Sequence, residues 1–156
     1  MGVEPDDVLS RPAPAADVSV RYGPLPEHVA DVRWPTRPNG PEPAPLLVVI
    51  HGGFWRAEHD RRHTGPQSVG LAEAGFAVAA IEYRRTGQPG GGWPGTFDDV
   101  AAALDAVPRL VARAAAGVGR AVDTDRTVLV GHSAGGQLAA WAAVTPRTGI
   151  VGAVSL

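Results

Sequence analysis

Ser133 stands at the centre of Gly131-His132-Ser133-Ala134-Gly135, a Gly-x-Ser-x-Gly spacing. Thr127-Val128-Leu129-Val130 precede it, and an apolar helical pattern follows it. A serine hydroxyl is a weak nucleophile at neutral pH. To attack a carbonyl carbon it needs exposure, a neighbouring base, and donors for the oxyanion that forms. The spacing answers the first need. A strand that turns at once into a helix leaves no room for side chains two residues either side of the tip, and glycine supplies that room. The tip is predicted to hold a strained backbone that pushes the Ser133 hydroxyl out of the sheet edge. The helix beneath would present free N–H groups and its positive dipole end to negative charge forming on a substrate. With glycine at 20 of 156 residues, the spacing by itself carries part of the reading, and the strand–turn–helix setting strengthens it. A Gly-rich phosphate loop or a plain helix cap is the alternative.

The elements that must position this turn can be read in order. Asp17 to Tyr22 alternates apolar and polar residues as a half-exposed strand does, and His28 to Trp34 reads as its hairpin partner. Residues 35–45 hold five prolines and read as a loop. Leu46 to Ile50 is a continuous apolar run, expected of a strand buried on both faces in a parallel sheet. It ends in His51-Gly52-Gly53-Phe54-Trp55, where glycines let backbone N–H groups come close to a ligand. Gln67 to Ala74 reads as a short helix closed by Gly75, and Phe76 to Ile81 as another buried strand. The clearest helix opens at Trp93-Pro94-Gly95-Thr96. Thr96 and Asp99 have capping-box spacing there, and Phe97, Val100, Ala101, Leu104, Val107 and Val111 are expected to form a core-facing stripe. Pro108 is expected to kink or end it. Residues 117–125 read as a loop. Leu138, Trp141, Ala142 and Thr145 are expected on the inner face of the helix after Ser133, and Ile150 to Leu156 as one more buried strand. The whole predicts one α/β domain, a mostly parallel sheet with helices on both faces, over residues 17–156, after a flexible tail over residues 1–16.

Composition narrows the function. The net charge of −2 gives no reason to expect nucleic acid or an anionic membrane as a partner. With no cysteine, disulfides, thiolate catalysis and Cys-ligated zinc are excluded. No signal peptide and no membrane span is legible, so a cytoplasmic location is expected. All fourteen basic residues are arginine, which reflects base composition more than function.

Taken together, His51-Gly52-Gly53-Phe54-Trp55, Glu82-Tyr83-Arg84, Gly92-Trp93-Pro94-Gly95 with Asp98-Asp99-Val100, and Gly131-His132-Ser133-Ala134-Gly135-Gly136-Gln137-Leu138 resemble the α/β-hydrolase superfamily. The likeness is to the esterase/lipase branch that contains the kynurenine formamidase (arylformamidase)-like enzymes, and it covers about residues 46–156. It implies Ser133 as nucleophile and an oxyanion hole formed by the N–H groups of Gly53, Phe54 and Ala134. His51, Gly52, Gly131 and Gly135 would support the elbow and loop. Phe54 stands where many lipases and esterases have a third glycine, and with Trp55 it would shape an acyl pocket. The implied substrate is a small ester or amide, an N-formyl-aromatic amide among them, with no cofactor and no metal. A prolyl-oligopeptidase-like peptidase shares the elbow.

In that fold the triad runs Ser, then Asp or Glu, then His. The residues after Ser133 contain none of the three. The expectation is therefore an N-terminal fragment of a hydrolase, ending after the strand that follows the elbow helix. An oxyanion hole alone would leave on the order of 10³–10⁴-fold over water. The last strand would expose an apolar edge open to self-association. A non-catalytic binding module is the rival reading, and supply of the acid and histidine by another chain is a third. Blander assignments are expected elsewhere: His59 and His63 in a polar loop instead of at a metal, Asp98 and Asp99 as helix N-terminal acids, Glu82 and Arg84 as an ion pair, Trp93 as a packing anchor, and His132 as a constrained neighbour of Ser133 that cannot swing onto it as base.

Overall fold

The computed structural model describes residues 10–36 and 43–156. Most of the expected tail and the centre of the proline-rich loop lie outside them. Among the described residues six strands form one sheet in the order β1-β2-β4-β3-β5-β6: β1 Val18–Arg21, β2 Val29–Arg33, β3 Ala44–Ile50, β4 Ala77–Ile81, β5 Val122–Gly131 and β6 Ile150–Ser155. The hairpin β1–β2 is antiparallel and joins β4 antiparallel, while β4, β3, β5 and β6 run parallel. Among the described residues three α-helices connect them: α1 Gly65–Glu73, α2 Gly95–Gly117 and α3 Ala134–Ala143.

The apolar runs are buried on both faces because each face has its own helix layer. Leu46, Val48 and Ile50 of β3, Ala79 and Ile81 of β4 and Leu129 of β5 pack with Val100, Leu104, Val107 and Val111 of α2 and Leu138 and Ala142 of α3. Their neighbours Leu47, Val49, Val78, Ala80 and Val130 point the other way, toward Ala72 of α1. This period of two inside an unbroken apolar run is the sign of a sheet covered on both sides.

Several expectations change. Helix α2 passes through Pro108 and runs on to Gly117. A proline removes one backbone bond there, and Val107 and Val111, both fully buried, hold the continuation against the core. The Thr96–Asp99 capping box does not form. Thr96 Oγ1 instead donates to the Arg84 carbonyl (2.5 Å) and accepts from Gly92 N–H (3.0 Å). Strand β5 begins at Val122, inside the expected loop, and Ala44 and Pro45 already pair with it across a register shift. Thr145 is exposed beyond the end of α3. Strand β6 is not buried. It pairs with β5 on one side, and Val151, Val154 and Leu156 are 64%, 44% and 63% exposed.

Asp99 has a larger part than a surface acid at a helix start. It is buried, and its carboxylate accepts from Arg84 Nε (2.9 Å), Nη2 (2.7 Å) and backbone N–H (2.9 Å), and from His28 Nε2 (3.0 Å). One side chain thus fastens the first turn of α2 to the end of β4 and to the β1–β2 hairpin. Burial, the largest influence, pushes its carboxyl upward, but the Arg84 and His28 bonds hold it below the ordinary aspartate value. A lowered folded value means the stabilisation is full above the unfolded value of about 4 and is lost as pH falls through the folded one. Asp99→Ala should lower unfolding free energy by about 3 kcal/mol in urea at neutral pH. The gap from the native sequence should narrow below about pH 4. A gap unchanged in acid would show that the ion pairs are not its source.

Candidate active site

Ser133 occupies the tip between β5 and α3 with φ 55° and ψ −121°, a left-handed conformation unusual for a residue with a side chain. Its side chain is exposed. Crowding explains the glycines. A Cβ on Gly131 would lie 2.1 Å from the Gly135 carbonyl oxygen, and one on Gly135 would lie 2.0 Å from that of Ile50. The second clash reaches β3, so Gly135 lets the start of α3 press onto the neighbouring strand as well as relieving the turn. Gly136, whose packing the sequence does not reveal, sits where a Cβ would come within 2.6 Å of Ser155 Oγ. The end of β6 clamps the turn from outside: Ser133 N–H donates to the Leu156 carbonyl (2.8 Å) and Leu156 N–H to that of Gly131 (2.9 Å).

The loop after β3 lies against this tip. A Cβ on Gly52 would be 2.6 Å from the His132 carbonyl oxygen and 3.2 Å from Ser133 Cβ. Gly53, Phe54 and Trp55 follow with φ of 116°, 54° and 57°. Arg56 N–H closes the turn on the Gly53 carbonyl (2.9 Å), and Thr86 N–H holds the Trp55 carbonyl (2.8 Å). The N–H groups of Gly53, Phe54 and Ala134 donate to no carbonyl among the described residues. Beside the loop opens a mainly apolar groove of about 550 Å³, lined among others by Phe54, Trp55, Trp93, Phe97 and Gln137. Trp93 is 77% exposed, touching Phe97 edge-on at 5.0 Å, so it forms a wall of this groove and is not a buried anchor.

His51 is fully buried beneath the loop. Its Nε2 meets Glu82 Oε1 at 2.7 Å, its Nδ1 meets the Gly52 carbonyl at 2.7 Å, and its ring stacks on Tyr83 with centroids 4.4 Å apart. The expected Glu82–Arg84 ion pair is absent because each residue is engaged elsewhere. Glu82 faces His51, Arg61 and Arg85, while Arg84 reaches Asp99. Burial pushes the Glu82 carboxyl upward, yet the His51 bond and the neighbouring cations hold it below the usual glutamate value. His59 packs on Gly53 and its Nε2 lies 3.6 Å from Glu58 Oε1. His63 stands edge-on to His51 at 5.6 Å; burial, then the proximity of His51, pushes its ring below the usual histidine value. His132 is exposed beside Ser133. Among the described residues none of the five histidines hydrogen-bonds to Ser133, and no group of three or more potential ligands is placed to hold a metal.

Comparisons with known proteins bear on the family and the fold. The BD-FAE family pattern matches residues 31–152. The probable carboxylic ester hydrolase LipM of Mycobacterium tuberculosis is 36% identical over 104 residues, which are 67% of this chain and 22% of that protein. A propionate-bound esterase from the planctomycete Thermogutta terrifontis superposes with a TM-score of 0.62 at 26% identity, over 81% of this chain and 44% of its own. A putative thioesterase from Silicibacter sp. TM1040 gives 0.55 at 28%, over 80% and 41%. The chain spans about a fifth of the curated relative and less than half of these structures.

Crowding at the tip makes a stability prediction with an internal control. Gly135→Ala should cost about 3 kcal/mol or more, because backbone must move to admit the methyl group. Gly70→Ala, in α1 with nothing near its added Cβ, should instead stabilise by roughly 0.5–1 kcal/mol. Urea unfolding of the two variants decides it, and equal shifts would refute the crowding account.

Proposed function

The chain belongs to the BD-FAE family and has the α/β-hydrolase fold, and from that premise we propose that it is a serine hydrolase of carboxylic esters or amides with Ser133 as nucleophile. The observation that carries the reading is the exposed Ser133 hydroxyl on a positive-φ tip, with the Gly52–Trp55 loop pressed against it. In the reaction the Ser133 oxygen attacks the acyl carbon. The N–H groups of Gly53, Phe54 and Ala134 receive the oxyanion, the leaving alcohol or amine departs, and water releases the acyl group. No cofactor enters this chemistry. The apolar groove beside Phe54 and Trp93 suits an apolar acyl or leaving group. Propionate and butyrate held by the Thermogutta esterase favour short acyl chains over an N-formyl amide.

The proton acceptor is the missing piece. No Asp, Glu or His follows Ser133 in this sequence, so this stretch is expected to turn over slowly by itself. The loop alone would give at most about 10³–10⁴-fold over water. On p-nitrophenyl butyrate, slow hydrolysis above the buffer rate should disappear in Ser133→Ala. Identical rates in both would favour the second reading, a hydrolase-like binding module, which the lack of any histidine bonded to Ser133 supports.

The open side of β6 presents unpaired backbone and the exposed Val151, Val154 and Leu156. Such an edge invites pairing with another strand. The isolated chain should therefore sediment as a concentration-dependent oligomer, and a strict monomer across concentrations would remove self-association from the reading.

A further inference from the structure

We infer that Glu82 is the positioning residue for the Gly52–Trp55 loop, and that it acts by keeping both ring nitrogens of His51 protonated. The role rests on reading that loop as the oxyanion loop, while the protonation itself does not. A carbonyl oxygen can only accept a hydrogen bond, so the His51 Nδ1 that lies 2.7 Å from the Gly52 carbonyl must carry a proton. The other nitrogen, Nε2, lies 2.7 Å from Glu82 Oε1. If the carboxylate is ionised, that nitrogen must carry a proton as well. Glu82 is surrounded by donors that favour its ionised form: the backbone N–H of Arg61 at 3.0 Å and of Tyr83 at 3.2 Å, with Arg85 Nε at 3.5 Å and Arg61 Nη1 at 3.6 Å. A singly protonated His51 would leave an acceptor facing an acceptor at 2.7 Å on one side of the ring.

His28 provides the contrast within the same chain. Its Nδ1 accepts from Leu25 N–H at 3.4 Å, and its Nε2 meets Asp99 at 3.0 Å, so one proton satisfies it. The groups facing His51 account for the difference. Glu82 and Tyr83 come from the end of β4, His63 meets it edge-on from the turn before α1, and Arg61 and Arg85 lie behind Glu82. The Tyr83 ring, stacked at 4.4 Å, presents a π face that favours a cationic partner, and its hydroxyl donates to the His51 carbonyl at 2.6 Å. Asp31 pairs with Arg61 at 2.8 Å, so Arg61 and Arg85 balance Asp31 and Glu82, and a doubly protonated His51 adds one positive charge under the loop.

The consequence for the loop is mechanical and electrostatic. Three successive residues with positive φ persist only where their surroundings over-determine them. Here the two His51 bonds lock Gly52 to the end of β4, immediately before the strained residues. Arg85 grips the same segment from its far side through the carbonyls of Ala57 and His59. The excess positive charge lies beneath the N–H groups proposed to meet the oxyanion, where a low-dielectric setting lets it act.

The test is nitrogen NMR of the histidine-labelled full chain at neutral pH, without substrate. His51 should show two protonated ring nitrogens and His28 one. In Glu82→Gln the carboxamide can donate to Nε2, so the variant can keep the packing while His51 drops to one proton. Amide exchange at Arg56 and Thr86, whose N–H groups close the loop, should then accelerate about tenfold while core amides stay protected. A bare nitrogen on His51 in the native sequence overturns the inference without any variant. Two protons retained in Glu82→Gln, or loop exchange unchanged there, removes the role of Glu82. None of these readouts depends on Ser133 reacting, so absent hydrolysis would sink the proposed function and leave this measurement decisive.

Discussion

Close approach of backbone to backbone at the carboxyl ends of β3, β5 and β6 governs this molecule. Around Ser133 four chain segments meet with no room for side chains between them: the end of β3 through Ile50 and His51, the Gly52 turn, the start of α3 at Gly135, and the last residues after β6. Glycine is required where a Cβ would sit about 2 Å from another carbonyl oxygen, and no rotamer change could relieve such a contact. The strained φ of Ser133 follows from this compression. A turn with space around it could relax, whereas this one is held on one side by β3 and on the other by two backbone bonds to Leu156. The exposure of the hydroxyl is thus a result of sheet geometry, and the two covered faces of the sheet supply the stability that sustains it.

A second level of organisation lies at the end of β4, where two buried carboxylates collect arginine and histidine side chains from separate parts of the chain. Asp99 draws Arg84 and His28 together, and Glu82 draws His51, Arg61 and Arg85. The two clusters are adjacent, since Glu82 and Arg84 are two residues apart on alternate sides of Tyr83. Replacing such pairs with apolar residues could leave net stability unchanged. What they add is direction: the hairpin and α2 are fixed to one side of β4, and the loop beside Ser133 to the other.

Much of this was legible in sequence where one periodicity or one steric rule dominates. The unbroken run Leu46 to Ile50 reads as a doubly covered strand and is one, and Gly131 and Gly135 flank Ser133 where a Cβ would meet backbone. Legibility failed where a long-range partner overrode a local rule. Thr96 and Asp99 have capping spacing, yet Arg84 takes both side chains away from the helix end. Glu82 and Arg84 are two residues apart, a spacing that a continuing strand would place on one face, but β4 ends at Ile81 and each side chain is taken by a distant partner, His51 for Glu82 and Asp99 for Arg84. Pro108 breaks a local rule and is carried by the burial of Val107 and Val111. The positive φ of Phe54 and Trp55 had no sequence signal, because aromatic residues do not advertise a left-handed backbone.

The same distinction separates the two halves of the chemistry. In the proposed reaction the oxyanion would be received by backbone amides, and the glycines, strand ends and buried His51 around them all lie between Ile50 and Gly136. Accepting the proton of Ser133 depends on a side chain, and the histidines here are committed elsewhere or face away: His28 to Asp99, His51 to Glu82, His63 edge-on to His51. His132 is closest in sequence, but it belongs to the turn itself, and a ring one residue from the nucleophile cannot fold back onto it without undoing the φ that exposes Ser133. In the proposed reaction the two parts would differ in origin, because backbone donors are fixed by local crowding whereas a general base has to approach from outside that crowded turn.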